Sequence, residues 1–182
     1  MPFTILNLDK QYKGHAFDVA KAHIQLPNGL QRHYDLVQHG DSVTIMPVDE
    51  NDQVYFVTQH RIGANKTLLE LPAGVLDAGE VPRLCARREI REEIGMDAKQ
   101  IQEVGGFYLA PGYSDEFMTV FLATDLYHSP LNPDADEFLE VITMPITEVY
   151  RKAMAGEIND GKTLAALFLA QPKLKDRLEN HA

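Results

Sequence analysis

Glu89, Glu92 and Glu93 place three carboxylates within five positions of a segment that reads as a helix. Offsets of three and four residues share one helical face, so the three side chains project together as an anionic patch. Like charges that close are costly unless something positive sits among them. A hard divalent cation with oxygen ligands meets that need, and Mg²⁺ in particular is usually held by a few carboxylates together with substrate phosphates. Arg88 precedes Glu92 by four positions, which also fits an ion pair on the surface of the helix.

The elements that must position this patch are legible around it. The N-terminal third reads as strands: residues 15–25 and 30–38 flank a Pro27, Asn28, Gly29 turn, and residues 42–48 and 53–58 flank the polar turn 49–52 as a second hairpin. Residues 68–72 lead into the glutamate-rich helix as a strand followed by a glycine-containing loop. Further strands are expected at 105–109, 117–123 and 138–144, with Pro111 and Gly112 marking a connection and 131–136 a loop. Helices are expected at about 146–155 and 161–170, followed by a charged tail. Strands first, then helix, strands and helices, describe a mixed α/β layered domain.

At 182 residues the chain fits one domain with a small N-terminal appendage. A hydrophobic content of 45% with 24% charged residues is that of an ordinary globular protein. The net charge of −10 argues against broad binding to nucleic acid or anionic membranes, and an anionic small substrate would need locally placed positive charge. The N-terminal residues show no basic stretch followed by an apolar core, and no apolar run reaches membrane-spanning length, so a cytoplasmic location is expected. The single cysteine, Cys85, excludes an internal disulfide and reads as a buried small hydrophobe.

The segment 74–96 resembles the Nudix box: Gly74, Glu80, Arg88, Glu89, Ile90, Glu92, Glu93, Gly95 and Met96 fill every fixed position of that pattern. The resemblance implies an α/β/α Nudix sandwich with a mixed sheet over residues 41–182. Residues 1–40 would then form a small extra antiparallel sheet that serves dimerisation. By resemblance Glu89 and Glu93 are metal ligands, Glu92 supplements them, and Arg88 orients a carboxylate. Glu80 is at the entry to the helix, where a carboxylate can serve the N-terminus.

The lead-in from Glu70 to Gly74 resembles that of ADP-ribose pyrophosphatases, in which the alanine carbonyl ligates a metal, here Ala73. Gln59 and Arg61 resemble the Gln-x-Arg of the same group, whose arginine contacts the diphosphate; a planar guanidinium suits bidentate pairing with phosphate. His60 between them reads as surface or packing. Pro111, fifteen positions beyond Met96, and Gly112 resemble the substrate loop of members that hydrolyse ADP-ribose, with Ala110 in place of the usual serine. Arg61, Glu70, Pro111 and Gly112 form the expected substrate-binding set. The catalytic base is expected in the acidic stretch 134–140, with Glu137 first, Glu140 next and Asp136 third. Glu137 is also an expected metal ligand.

Gly156, Ile158, Asp160, Lys162 and Thr163 resemble a run found late in nucleoside diphosphate sugar hydrolases. They also match a P-loop formally, but no strand precedes them, and a helix start is the better reading. The resemblance implies a Mg²⁺-dependent, or Mn²⁺-dependent, homodimeric hydrolase. It would split nucleoside diphosphate sugars, ADP-ribose foremost, into AMP and ribose 5-phosphate. Alternatives are a broad or GDP-mannose-type hydrolase and, from another class, a non-catalytic nucleotide-sensing domain.

Overall fold

The computed structural model describes residues 2–133 and 138–179. Two compact units emerge: residues up to Asp41 with Phe107–Met118, and Ser42–Gly106 with the residues from Thr119 onward.

The first unit is a three-stranded antiparallel sheet of β1 (Thr4–Lys13), β2 (Asp18–Gln25) and β3 (Gln31–Gln38), in that order. The expected turn closes β2 onto β3, with Gly29 at φ 83° and the Leu26 N–H donating to the Leu30 carbonyl. The edge strand β1 is exposed along its whole length. Residues 113–115 add to the end of β3: the Val37 N–H donates to the Tyr113 carbonyl at 2.7 Å, and the Asp115 N–H donates back to the Val37 carbonyl at 3.2 Å. Asp115 Oδ1 also accepts the His39 N–H at 2.8 Å.

The second unit holds β4 (Ser42–Pro47), β5 (Gln53–Arg61), β6 (Lys66–Glu70), β7 (Ala73–Val75), α1 (Pro82–Glu93) and β10 (Glu140–Pro145). It ends in α2 (Ile146–Met154), α3 (Gly161–Ala170) and α4 (Lys175–Glu179). Two long strands, β8 (Met96–Tyr108) and β9 (Phe117–His128), have residues in both units. One sheet runs β10-β5-β6 and the other β7-β4-β9-β8. All six residues of β4 are buried. Val43 and Ile45 share a core with Cys85, Ala86 and Ile90 of α1 and with Phe121, while α3 also packs on β4. A strand covered on both faces in this way is the centre of an α/β/α sandwich. No helix among the described residues is long and apolar enough to cross a membrane.

The second expected hairpin needs correction. Residues 49–52 do reverse the chain, with Asp49 Oδ1 accepting the Asn51 and Gln53 N–H groups at 2.8 and 2.9 Å. Yet β4 and β5 form no ladder: beyond β4 the isolated bridge Val48 with Val54 links the turn to β5, and the two strands belong to different sheets. A turn satisfied by its own aspartate fixes where the chain reverses and leaves the choice of ladder partner to long-range packing. The expected helix at 161–170 is present. Asp160 caps it by accepting the Thr163 N–H at 3.0 Å, which also bears out the helix-start reading of that run.

Candidate active site

Helix α1 begins at Pro82, whose fixed φ suits the first helical position, and ends before Gly95, which takes φ 70°. Cys85, Ala86, Glu89, Ile90 and Glu93 recur at the spacing of one face, and all are buried. The geometry that forms the helix therefore also draws two of its carboxylates inward. Glu89 and Glu93 are only 6% and 8% exposed.

Arg88 is the positive charge set among the carboxylates. Its Nη1 donates to Glu89 Oε1 at 2.6 Å and to Glu92 Oε2 at 3.0 Å, while Nε and Nη2 grip the two oxygens of Glu80 at 3.1 and 2.9 Å. The i, i+4 ion pair with Glu92 and the orienting contact with Glu89 thus occur together. The Glu80 hydrogen bonds are the chief reason the guanidinium is held even more firmly protonated than usual. Glu80 in turn sits below the ordinary carboxylate range, chiefly because Arg88 donates to it. The capping half of its expected service to the helix N-terminus is corrected here: Val81 is the N-cap, with no side-chain cap, and Glu80 accepts Arg88 and the Asp77 N–H. A charged two-donor fork is a stronger partner than a single backbone amide.

Strand β7 is brought against α1 through Glu93, whose Oε2 accepts the Ala73 N–H at 3.1 Å. Beside it, a Cβ at Gly74 would overlap the Glu89 carboxylate, so the backbone cradles that group closely. Gly74→Ala should displace Glu89 and lower turnover by about a hundredfold, within the range for misplaced catalytic groups. Steady-state kinetics with a melting curve would check it, and wild-type kcat in that variant would contradict the cradle. Glu89, Glu92, Glu93 and the Ala73 carbonyl supply hard oxygen donors of the kind Mg²⁺ takes. Among the described residues no three His, Cys, Asp or Glu side chains are grouped so as to hold a metal ion by themselves. The remaining expected ligand and first candidate base, Glu137, lies outside the described residues, as does Asp136.

A second cluster lies in the same unit. Arg61, at the end of β5, forks onto Glu70 at the end of β6, with Nε to Oε1 at 2.8 Å and Nη2 to Oε2 at 2.7 Å. Glu70 is 1% exposed and also accepts from Lys162, which bridges to Asp160 Oδ2 at 3.0 Å. Burial pulls the Glu70 pKa upward, but the Arg61 hydrogen bonds and the Lys162 charge outweigh it and hold the group below its ordinary value. Thr163 Oγ1 donates to Asp160 Oδ2 at 2.6 Å and accepts the Leu71 N–H at 2.9 Å, tying α3 to the strand that carries Glu70. The Arg61 pKa is raised, first by the Glu70 hydrogen bonds and further by the charges of Asp160 and Glu93. Of the α1 carboxylates, Glu93 is the one whose charge reaches Arg61.

Sequence reasoning gave Lys162 and Asp160 no place in this site. Their signal is the Asp-x-Lys-Thr spacing, which marks the resemblance to nucleoside diphosphate sugar hydrolases and a helix start but assigns neither side chain a role. Glu140 opens β10, is exposed, and pairs with Thr58 of β5. His60 is exposed, as expected. Pro111 and Gly112 lie in a turn of the first unit, where the Tyr113 and Ser114 N–H groups both donate to the Ala110 carbonyl. Cys85 is buried, and its thiol pKa is pushed far up by that burial, so it is a packing residue.

The family profile of the NUDIX domain matches residues 38–167. The chain is 33% identical over 170 residues to "ADP-ribose pyrophosphatase" of Bacillus subtilis, covering 92% of this chain and 91% of that protein. It is 35% identical over 170 residues to the protein of the same name in Mycobacterium tuberculosis, covering 91% and 82%. A solved structure, "Crystal structure of ADP compounds hydrolase", superposes with a TM-score of 0.85 at 26% identity over 97% of this chain and 96% of that one.

Proposed function

The chain belongs to the NUDIX domain family, and from that premise we propose that it hydrolyses the diphosphate bond of nucleoside diphosphate sugars, with ADP-ribose converted to AMP and ribose 5-phosphate. The observation that carries this reading is the position of Glu93. Its carboxylate accepts the Ala73 N–H, and its negative charge helps to hold Arg61 protonated, so a metal-type carboxylate and a phosphate-type cation are electrostatically linked. The names of the relatives over nearly the whole chain support the substrate class.

Mg²⁺, or Mn²⁺, would be held by Glu89, Glu92, Glu93, the Ala73 carbonyl and Glu137, and when bound would neutralise charge on the diphosphate oxygens. Arg88 holds the Glu89 and Glu92 carboxylates in place through its Nη1. Arg61 spends Nε and one N–H of Nη2 on Glu70, which among the described residues leaves Nη1 for a phosphate oxygen and for the charge that develops on the leaving phosphate. Glu137, then Glu140, then Asp136, are the groups that would take the proton of the attacking water. Pro111 and Gly112 would contribute to holding the substrate.

The exposed apolar side chains of the first unit, among them Phe3, Ile5, Leu8, Tyr12 and Tyr34, support a homodimer formed through its sheet. The net charge of −10 favours a small-molecule substrate over nucleic acid or a membrane surface, and the lone buried thiol suits the cytoplasm.

The test is product analysis after incubating the purified protein with ADP-ribose, GDP-mannose, UDP-glucose, a dinucleoside polyphosphate and a nucleoside triphosphate, with and without Mg²⁺. Metal-dependent AMP release chiefly from ADP-ribose is expected. Comparable cleavage of several sugar nucleotides would make this a broad hydrolase, and no cleavage of any would favour a sensing domain.

A further inference from the structure

The Lys162 side chain is only 10% exposed, and its ammonium contacts two carboxylates, Glu70 and Asp160. With Arg61 these groups form a set of two positive and two negative charges. Arg61 is the member that reaches solvent, its side chain 45% exposed, whereas Glu70 and Lys162 lie behind it. A carboxylate as deeply buried as Glu70 must be paired, and one cation would suffice for that. The second cation does something more, because it offsets the charge of Glu70 and Asp160 that would otherwise fall on Arg61.

We infer that Lys162 is a positioning residue for diphosphate recognition: by balancing Glu70 and Asp160 from behind, it leaves the Arg61 guanidinium electrically available to an anionic diphosphate. The inference rests on the proposed function and deepens it by assigning a residue outside the Nudix box to binding of the diphosphate. Lys162 acts through Glu70, since its ammonium is directed to the two carboxylates. Loss of its charge would leave Arg61, Glu70 and Asp160 as a net negative set of side chains, and binding of an anion would weaken.

The test compares wild type, Lys162→Met and the double variant Lys162→Met/Asp160→Asn. The double variant is electrically neutral again, and asparagine still accepts the Thr163 N–H as a helix cap. Lys162→Met should raise KM for ADP-ribose about tenfold with a smaller change in kcat, the size of one misplaced unit charge in a partly wet site. The double variant should recover to within about threefold of wild type, although it lacks the same ammonium. A purely structural role predicts the reverse, with the double variant no better than the single one.

Calorimetric titration with inorganic pyrophosphate reads the same ranking without turnover, and a melting curve on each variant registers any loss of fold. If wild type fails to cleave ADP-ribose, the proposed function fails while the pyrophosphate ranking still judges Lys162. Unchanged KM and pyrophosphate affinity in Lys162→Met would overturn the inference, as would a double variant that binds no better than the single one.

Discussion

Glu93→Gln is expected to abolish metal-dependent hydrolysis, lowering kcat by about a thousandfold or more, while the protein melts no earlier than wild type. The size follows from losing several kcal/mol of charge stabilisation where the reaction builds negative charge. The unchanged fold follows from local chemistry. A glutamine oxygen can still accept the Ala73 N–H, and removal of one charge relieves repulsion from Glu89, four positions earlier on the same face. Glu92→Gln provides the contrast: Glu92 is more exposed, and it only shares the Nη1 group of Arg88 with Glu89, so a loss nearer tenfold is expected. Assays of AMP release from ADP-ribose at saturating Mg²⁺, paired with thermal melts, would measure both. Sustained turnover in Glu93→Gln would remove it from the metal set and, with it, the main support for the proposed chemistry.

The contrast between these two glutamates shows what the sequence could reveal. Helical periodicity is enough to put Glu89, Glu92 and Glu93 within one turn of α1, because spacing along a helix is a local property. It could not tell which of them point into the protein, since that depends on β4 and β7 packing against the helix. The turn at residues 49–52 was legible for the same local reason, whereas the separation of β4 and β5 into different sheets was not. Residues 113–115 add to β3 through hydrogen bonds that span more than seventy positions, and no local pattern encodes such a partner. The Arg61, Glu70, Lys162 and Asp160 cluster lies at the far end of this scale. Its pairs span as many as 92 positions, so the sequence offered the residue types without the association.

That cluster yields the second large expected effect. Glu70→Ala should lower stability by about 3 kcal/mol, the low end for breaking a buried ion pair, because Lys162 keeps Asp160 and Arg61 reaches solvent. For a chain of this size that is a fall in Tm of roughly 6–12 °C. Glu70→Gln should be nearly as harmful. Both oxygens of Glu70 act as acceptors, Oε1 from Arg61 and Oε2 from Arg61 and Lys162, so an amide would turn its NH₂ toward a donor on one side or the other. The effect also has a sign in pH. The folded-state pKa of Glu70 lies below the ordinary value of 4.5, so its stabilisation is whole above that value and disappears as pH falls through the folded-state pKa. Denaturant unfolding of wild type and Glu70→Gln should therefore show a wide gap near neutral pH that closes in acid below about 4.5. A gap that stays constant into acid would mean that shape, and not the ionised carboxylate, is what Glu70 contributes. Equal stability of Glu70→Gln and wild type at neutral pH would defeat the ion-pair account altogether.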